Sequence, residues 1–530
     1  MEKIIVRNTA ILVTNYNIGD CPRLENNFRL FDRLTHKYYY LGMYYDEEDK
    51  ILYLPRGIDV WYVERLIGSK AYIDKNYNEF DYIDNVKLRY SPRDETQKQA
   101  LRFLIGAAEY KDNEYKSQLS LNLVTGKGKS YLCIATKVYY EMRSIVITYS
   151  SNWLEQWKNY ALQYTTLKPS EILIISGSSV INRLLKSKNP KYKMYLITHA
   201  AIKSYANKYG WKAIGKLFEH LKIGIKFIDE AHLNFENMSM IDFYTNVYKT
   251  YYVTATPARS SEEENVIYAR YFKNIPAIDL FDEEEDRHTK YIAIRFKSKP
   301  SAFEITDCKN KYGLDRNKYC NYLVSKPEFY KLLHVIMDLC LRVEGKCLMY
   351  IGTNYAIAMV YRWLIINYPE LYNNIGIYTT LTPPELKDEQ KEKKIILSTT
   401  KSCGAAMDIK GLKMTINLAE PFKSEVLAIQ TLGRTRDNDT YYIDIVDMSF
   451  VQCRKYYYYK KPIFEKRALS CTEINISEHE LDERSGIVIR NRVSKLYKPM
   501  VSMEMVRFDG DIPDKVDIKP IPVPMVTFNK

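Results

Sequence analysis

The chain has 530 residues, 46% hydrophobic and 27% charged, a globular composition that excludes global disorder and leaves room for about three or four domains. Lys and Arg (78) outnumber Asp and Glu (65), giving a net charge of +13, an excess that suits a polyanion partner but is also met on ordinary solvated surfaces. The nine cysteines include no Cys-x-x-Cys pair and no apolar run is long enough to span a bilayer, which speaks against structural zinc, a disulfide framework and a membrane anchor.

A reducing, cytoplasmic compartment follows from the cysteine usage, and the first residues do not read as a signal peptide. The 48 tyrosines beside 5 tryptophans fit an AT-rich coding sequence better than a base-stacking role.

Residues 1–88 read as a small β-rich accessory domain without evident chemistry. Lys37–Tyr45 and Lys50–Leu54 flank the acidic turn Asp46–Asp49, the pattern of a hairpin, and Pro55-Arg-Gly57 stops its second strand. Over 89–275 short apolar runs alternate with amphipathic stretches: Gln118–Thr125, Ser144–Tyr149, Glu171–Ser176, Met194–Thr198, Ile225–Ile228 and Thr250–Thr254. Such runs with helical spacers predict βα units and a parallel sheet covered on both faces. Residues 276–330 are mixed and read as an inter-domain segment. A second α/β block spans 331–452, with strands predicted at Lys346–Ile351, Gly376–Tyr378, Lys394–Ser398, Met414–Leu418 and Tyr441–Val446. Residues 453–530 begin basic and helical and end proline-rich in Lys519–Pro524.

Within the first block, Leu121-Asn-Leu-Val-Thr-Gly-Lys-Gly-Lys-Ser130 has the form of a strand, a glycine turn and a helix start. That is the layout of a phosphate-binding P-loop. Thr125, Gly126, Lys127 and Gly128 would bring backbone N–H groups round phosphate oxygens, with Lys129 on the β- and γ-phosphates and Ser130 on Mg²⁺. The full pattern places glycine at 123, where Leu123 stands. Phosphoryl transfer also needs a further metal contact and a base for water. Ile225-Lys-Phe-Ile-Asp-Glu-Ala-His232 carries both to a strand end: Asp229 would hold Mg²⁺ through water and Glu230 would orient and deprotonate the attacking water.

Asp229-Glu-Ala-His232 resembles the signature box of superfamily 2 helicases and translocases, and the other motifs come in that family's order from about residue 89 to 450. Ser91-Pro-Arg-Asp-Glu-Thr-Gln97 is similar to the Q motif, whose glutamine reads adenine. Val146–Trp157 resembles motif Ia, and its Trp-x-x-Gln-Trp ending is similar to DNA-directed members related to phage recombination and repair helicases. Val253-Thr-Ala-Thr-Pro257 resembles motif III, Met349–Thr353 motif IV, Ser398–Ile409 motif V and Gln430-Thr-Leu-Gly-Arg-Thr-Arg436 motif VI. Two departures besides Leu123 stand out: Met407 precedes Asp408 where glycine is usual, and Asp437 occupies the place of the family's second motif VI arginine.

The resemblance implies tandem RecA-like parallel-sheet domains, an ATP hydrolase with Mg²⁺, and a DNA partner, single-stranded or branched, with RNA as the alternative. It implies that Arg434 and Arg436 assist catalysis and that Gln97 contacts the base. His232, Thr254, Thr256 and Gln430 would couple the ATP site to movement. Ser150, Trp153, Thr198, Gly352, Thr353 and Thr399 would touch the nucleic-acid strand, although Trp153 and Trp157 fit helix packing better than base stacking. A helix advances about 100° per residue, so Arg436, two positions after Arg434, is expected on a different face with a lesser role. A non-catalytic clamp is the rival from another class; Lys129, Asp229, Glu230 and Arg434 argue against it.

Overall fold

Strands form where β-branched and aromatic residues cluster, and their burial separates edge from centre. The computed structural model describes residues 3–32, 35–83, 85–123, 127–188, 191–254, 262–280, 287–311, 313–403, 409–434, 440–477, 479–481, 487–489 and 526–528. They fall into two compact units, 1–281 and 282–530.

The first unit begins with β1 (Lys3–Val6), β2 (Ala10–Thr14), β3 (Arg29–Asp32), β4 (Lys37–Tyr40), β5 (Tyr44–Asp46), β6 (Ile51–Pro55) and β7 (Ala71–Ile73). Five of these make a sheet in the order β5-β6-β2-β1-β7, and β3 pairs with β4 alone. The predicted hairpin exists as β5–β6, with Tyr44 opposite Tyr53. Its first strand is shorter than the aromatic run suggested, because the chain turns at Gly42 (φ +74°). A Cβ at Gly42 would stand 3.2 Å from the Phe235 ring. One continuous core joins this sheet to the later helices of the unit, with Leu12, Val13 and Leu54 in the same cluster as Phe235, Met238 and Tyr271.

The rest of the unit is a seven-stranded parallel sheet: β8 (Gln118–Asn122), β9 (Ser144–Thr148), β10 (Ile172–Ile175), β11 (Met194–Thr198), β12 (Ile225–Asp229), β13 (Lys249–Thr254) and β14 (Ala277–Asp279). Its order is β10-β11-β9-β12-β13-β8-β14. β8, β9, β11, β12 and β13 are buried along their whole length, as strands covered on both faces must be.

The second unit contains β15 (Thr289–Phe296), the short ladder β16 (Lys309–Asn310) and β17 (Gly313–Leu314), then β18 (Lys346–Ile351), β19 (Ile375–Tyr378), β20 (Ile395–Ser398), β21 (Leu412–Ala419), β22 (Thr440–Asp447) and β23 (Ser470–Asn475). Its main sheet runs β19-β20-β18-β21-β22-β15-β23, again parallel. Counted along the chain within each sheet, both orders read 3-4-2-5-6-1-7. The chain is therefore a tandem of RecA-like parallel-sheet domains with a small β-rich N-terminal sheet. β15 lies inside the segment expected to join the domains and takes, in its sheet, the position that β8 takes in the first. The helix Val451–Arg467 opens the C-terminal extension and contains Pro462.

A buried ionic cluster ties β12 to the helix after it. Lys226 Nζ donates to Asp242 Oδ1 at 2.6 Å and to Thr245 Oγ1 at 2.8 Å, with both charged side chains fully buried. Tyr252 and Tyr271 hydroxyls donate to Asp242 Oδ2 at 2.5 and 2.6 Å. Burial pulls the Lys226 ammonium below its usual range, and the Asp242 charge holds it up. Asp242→Ala would strand that ammonium, and such breaks typically cost about 3–5 kcal/mol. The expected result is a clearly lowered melting temperature; an unchanged one would show that the cluster contributes no stability.

Candidate functional site

The site is assembled where parallel strands end. β8 stops at Asn122, and Leu123 N–H donates to the Thr254 carbonyl at 3.1 Å, tying the entry of the loop to the end of β13. Thr125 and Gly126 lie outside the described residues. Lys127 and Gly128 precede a helix, Lys129–Tyr140, which Lys129 and Ser130 open. Gly128 has φ +91°, which favours glycine, and a Cβ there would stand 2.3 Å from Gln97 Nε2, so any other residue would displace that amide.

Gln97 is 4% exposed and braces this loop. Its Nε2 donates to the Lys127 carbonyl at 2.9 Å, and its Oε1 accepts from Arg93 N–H at 3.0 Å. Gln97 sits on the helix Glu95–Ile105, which Asp94 caps by accepting from Gln97 N–H at 2.8 Å. Both ends of the amide are thus engaged by protein backbone.

Asp229 ends β12, and Glu230, the next residue, takes φ +49°, a turn that swings its side chain out of the strand register. Glu230 Oε1 lies 3.4 Å from Lys129 Nζ. Asp229 Oδ2 accepts from the Trp157 indole at 2.8 Å. Burial, and then the Glu230 charge, push the Asp229 carboxyl up to about 6, while the indole and Lys129 oppose the rise. His232 Nδ1 is 2.7 Å from Thr254 Oγ1 and 3.4 Å from Glu230 Oε2, and Ala231 N–H donates to the Val253 carbonyl at 3.2 Å. The acidic box and the end of β13 are therefore held together by side chain and backbone.

The structure thus gathers Gln97, Lys127, Gly128, Lys129, Ser130, Asp229, Glu230, His232 and Thr254 in one unit. Thr256 lies outside the described residues. A cationic helix start opposes two carboxylates, so the arrangement can bind an anion and a cation side by side. Among the described residues no group of three or more His, Cys, Asp or Glu could hold a metal alone. Magnesium, which takes one or two carboxylates and completes its shell with substrate oxygens and water, fits Ser130 and Asp229 on those terms.

The predicted strand-contact residues also stand at carboxyl ends of strands. In the first unit Ser150 lies just after β9, and Thr198 ends β11, its hydroxyl capping the next helix by accepting from Ala201 N–H at 3.1 Å. In the second, Gly352 and Thr353 come directly after β18, and Thr353 Oγ1 accepts from Ala356 N–H at 3.1 Å. Thr399 comes directly after β20 and accepts from Ser402 N–H at 3.1 Å. Trp153 is 6% exposed, its ring faces taken up by protein, in keeping with its reading as a helix-packing residue. Trp157, read as a packing residue, is equally buried but carries a polar task toward Asp229.

Gln430 is buried on the helix Glu425–Leu432. That helix ends at Gly433, so Arg434 lies beyond it in a turn. The expectation of a helix carrying Arg434 is corrected by this early stop, and helical spacing no longer separates it from Arg436, which lies outside the described residues with Asp437. Arg434 is 6% exposed. Its charge lies close enough to Tyr350 and Cys403 to lower both groups against the larger effect of burial. Met407 and Asp408 also lie outside the described residues.

Residues 90–259 match the family model described as Type III restriction enzyme, res subunit. No curated protein matches. Among solved structures the chain is similar to T4 UvsW, with 16% identity over 89% of this chain and 99% of that one, at a TM-score of 0.34. It is similar to Saccharomyces cerevisiae Dbp5 bound to RNA and ADP BeF3, with 16% identity over 74% and 91%, at 0.47. A fragment of an HsdR subunit of a type I restriction enzyme from Vibrio vulnificus aligns with 13% identity over 89% and 79%, at 0.49.

Proposed function

From the premise of a superfamily 2 helicase-type motor, its nucleotide domain matched over residues 90–259, we propose that this chain is an ATP-dependent DNA translocase or helicase. The observation that carries the reading is Lys129, at a helix start entered through Gly128, 3.4 Å from the Glu230 carboxylate. Lys129 exchanges Glu230 for the β- and γ-phosphates when nucleotide binds. Glu230, released from that contact, takes a proton from the attacking water. Magnesium, held by Ser130 and Asp229, would neutralise charge on the phosphate oxygens. The His232–Thr254 hydrogen bond transmits the position of the acidic box to the end of β13. Arg434 stabilises charge on the transferred phosphoryl group.

Ser150, Thr198, Gly352, Thr353 and Thr399 supply hydroxyl and backbone groups for a phosphate chain, which positions the protein without reading sequence. The Trp153–Trp157 segment and Thr254-Ala-Thr-Pro257 favour DNA; RNA on the same motor is the second reading. Comparing ATPase stimulation by single-stranded, duplex and branched DNA and by RNA tests both. Stimulation highest with DNA is expected; highest with RNA would replace the reading, and none at all would leave the ATP-binding clamp. Affinity should fall steeply with salt, with a log–log slope of about −0.7 for each single-strand phosphate neutralised. Affinity unchanged between low and physiological salt would contradict phosphate-dominated binding. Among the described residues no helix is long and apolar enough to cross a membrane.

A further inference from the structure

The amino ends of β8, β13 and β14 meet β1 and β7 of the N-terminal sheet around a cleft of about 750 Å³. It lies at the opposite end of the strands of the parallel sheet from Lys129 and Asp229. Arg56, just after β6, lines it half-buried, and among the described residues its guanidinium makes no hydrogen bond or ion pair. Burial is the sole influence on it, pulling it below the usual arginine range. Lys75 and Lys116 line the same cleft, exposed, with ammonium groups outside any ion pair among the described residues.

The acids in the wall do not balance these cations. Asp74 is already held by Arg7 at 3.5 Å, which leaves Glu114, among the described residues, as the one wall carboxylate outside an ion pair. Lys249 contributes no free charge to a ligand, since its ammonium donates to the carbonyls of Asn113, Glu114 and Lys116 at 3.1, 2.7 and 2.9 Å. Aromatic faces alternate with the cations. Tyr115 is 84% exposed, and Tyr77, 42% exposed, is fixed edge-on to Tyr248 at 5.1 Å.

A guanidinium withdrawn from water without a counter-ion is costly and matches a phosphate's oxygens in geometry. Open tyrosine rings stack on bases of any sequence. We propose that this cleft is a second binding site for single-stranded nucleic acid, with a phosphate on Arg56 and a base against Tyr115, at the amino ends of the strands and away from the ATP site. The proposal rests on the reading of the chain as a nucleic-acid motor, and its test separates the two.

The experiment uses the full chain with the photoreactive residue p-benzoylphenylalanine in place of Tyr115, irradiated with a labelled oligothymidylate. An adduct is expected at position 115 and none with the probe in place of Tyr38, which is 61% exposed on the β3–β4 hairpin. Arg56→Glu should lower the adduct roughly tenfold, as should Lys116→Glu, an exposed change that keeps the fold; total binding, read by fluorescence anisotropy, should persist through the other path. An oligonucleotide that binds without cross-linking at 115, or whose adduct ignores both substitutions, overturns the cleft proposal and leaves the motor reading intact. Absence of any oligonucleotide binding overturns both. Competition at 115 by polyglutamate better than by unlabelled oligonucleotide overturns the proposal in favour of an acidic-peptide groove.

Discussion

Glu230→Gln is expected to bind ATP much as the unsubstituted protein does and to hydrolyse it about 10²–10⁴-fold more slowly, the range typical of losing a general base. The substitution preserves shape and one hydrogen-bonding oxygen, so Lys129 keeps a neighbour at the 3.4 Å position. It also removes the charge that helps raise Asp229. Asp229 should then ionise more readily, which favours a bound cation and so does not weaken nucleotide binding. Lys129→Ala, by contrast, should lose both binding and turnover. The measurement is nucleotide affinity from a fluorescent ATP analogue beside single-turnover hydrolysis. Full turnover in Glu230→Gln would remove Glu230 from the role of base.

Arg434→Ala should retain ATP binding and lose about 10³–10⁵ in hydrolysis, the usual magnitude for an arginine that stabilises charge on the transferred phosphoryl oxygens. The arginine is 6% exposed, so its side chain is packed into the fold and has a structural share as well as a chemical one. A melting temperature taken beside the rate separates the two: a stable variant with lost turnover supports the catalytic assignment. Turnover within a few-fold of the unsubstituted protein, under saturating DNA, would exclude it. Because Arg434 lies past the end of its helix, the helical argument for a weaker Arg436 no longer applies.

Legibility in the sequence tracked burial. Strands covered on both faces announce themselves as unbroken apolar runs, and the predicted Lys346–Ile351 is β18 to the residue. β15 alternates buried and half-buried positions and carries Lys290 and Arg295, while β23 is exposed along most of its length, so neither shows such a run. Gly42 was visible, but its effect depends on Phe235, nearly two hundred positions later and brought close only by the fold. The placement of Lys129 at a helix start and of Asp229 and Glu230 at a strand end was readable because spacing within one element fixes it locally. The Trp157–Asp229 hydrogen bond was not, since two separate elements must meet to form it.

The shared strand order has a consequence for how the chain is made. β8 is laid down early, yet its neighbours are β13 and β14, at residues 249–254 and 277–279. β15 likewise waits for β22 and β23. In each seven-stranded sheet the first strand synthesised is an interior strand completed by the last two. A nascent chain emerging from the ribosome therefore has no finished nucleotide pocket until nearly all of its first half is out. The strand leading to Lys129 spends that interval with both edges open, the state in which strands pair wrongly or recruit other chains. Closure of each sheet by its late strands is a long-range step of the kind that slows folding. Phosphate-binding capacity and completion of the first sheet thus arrive together, so an interrupted first half would lack both.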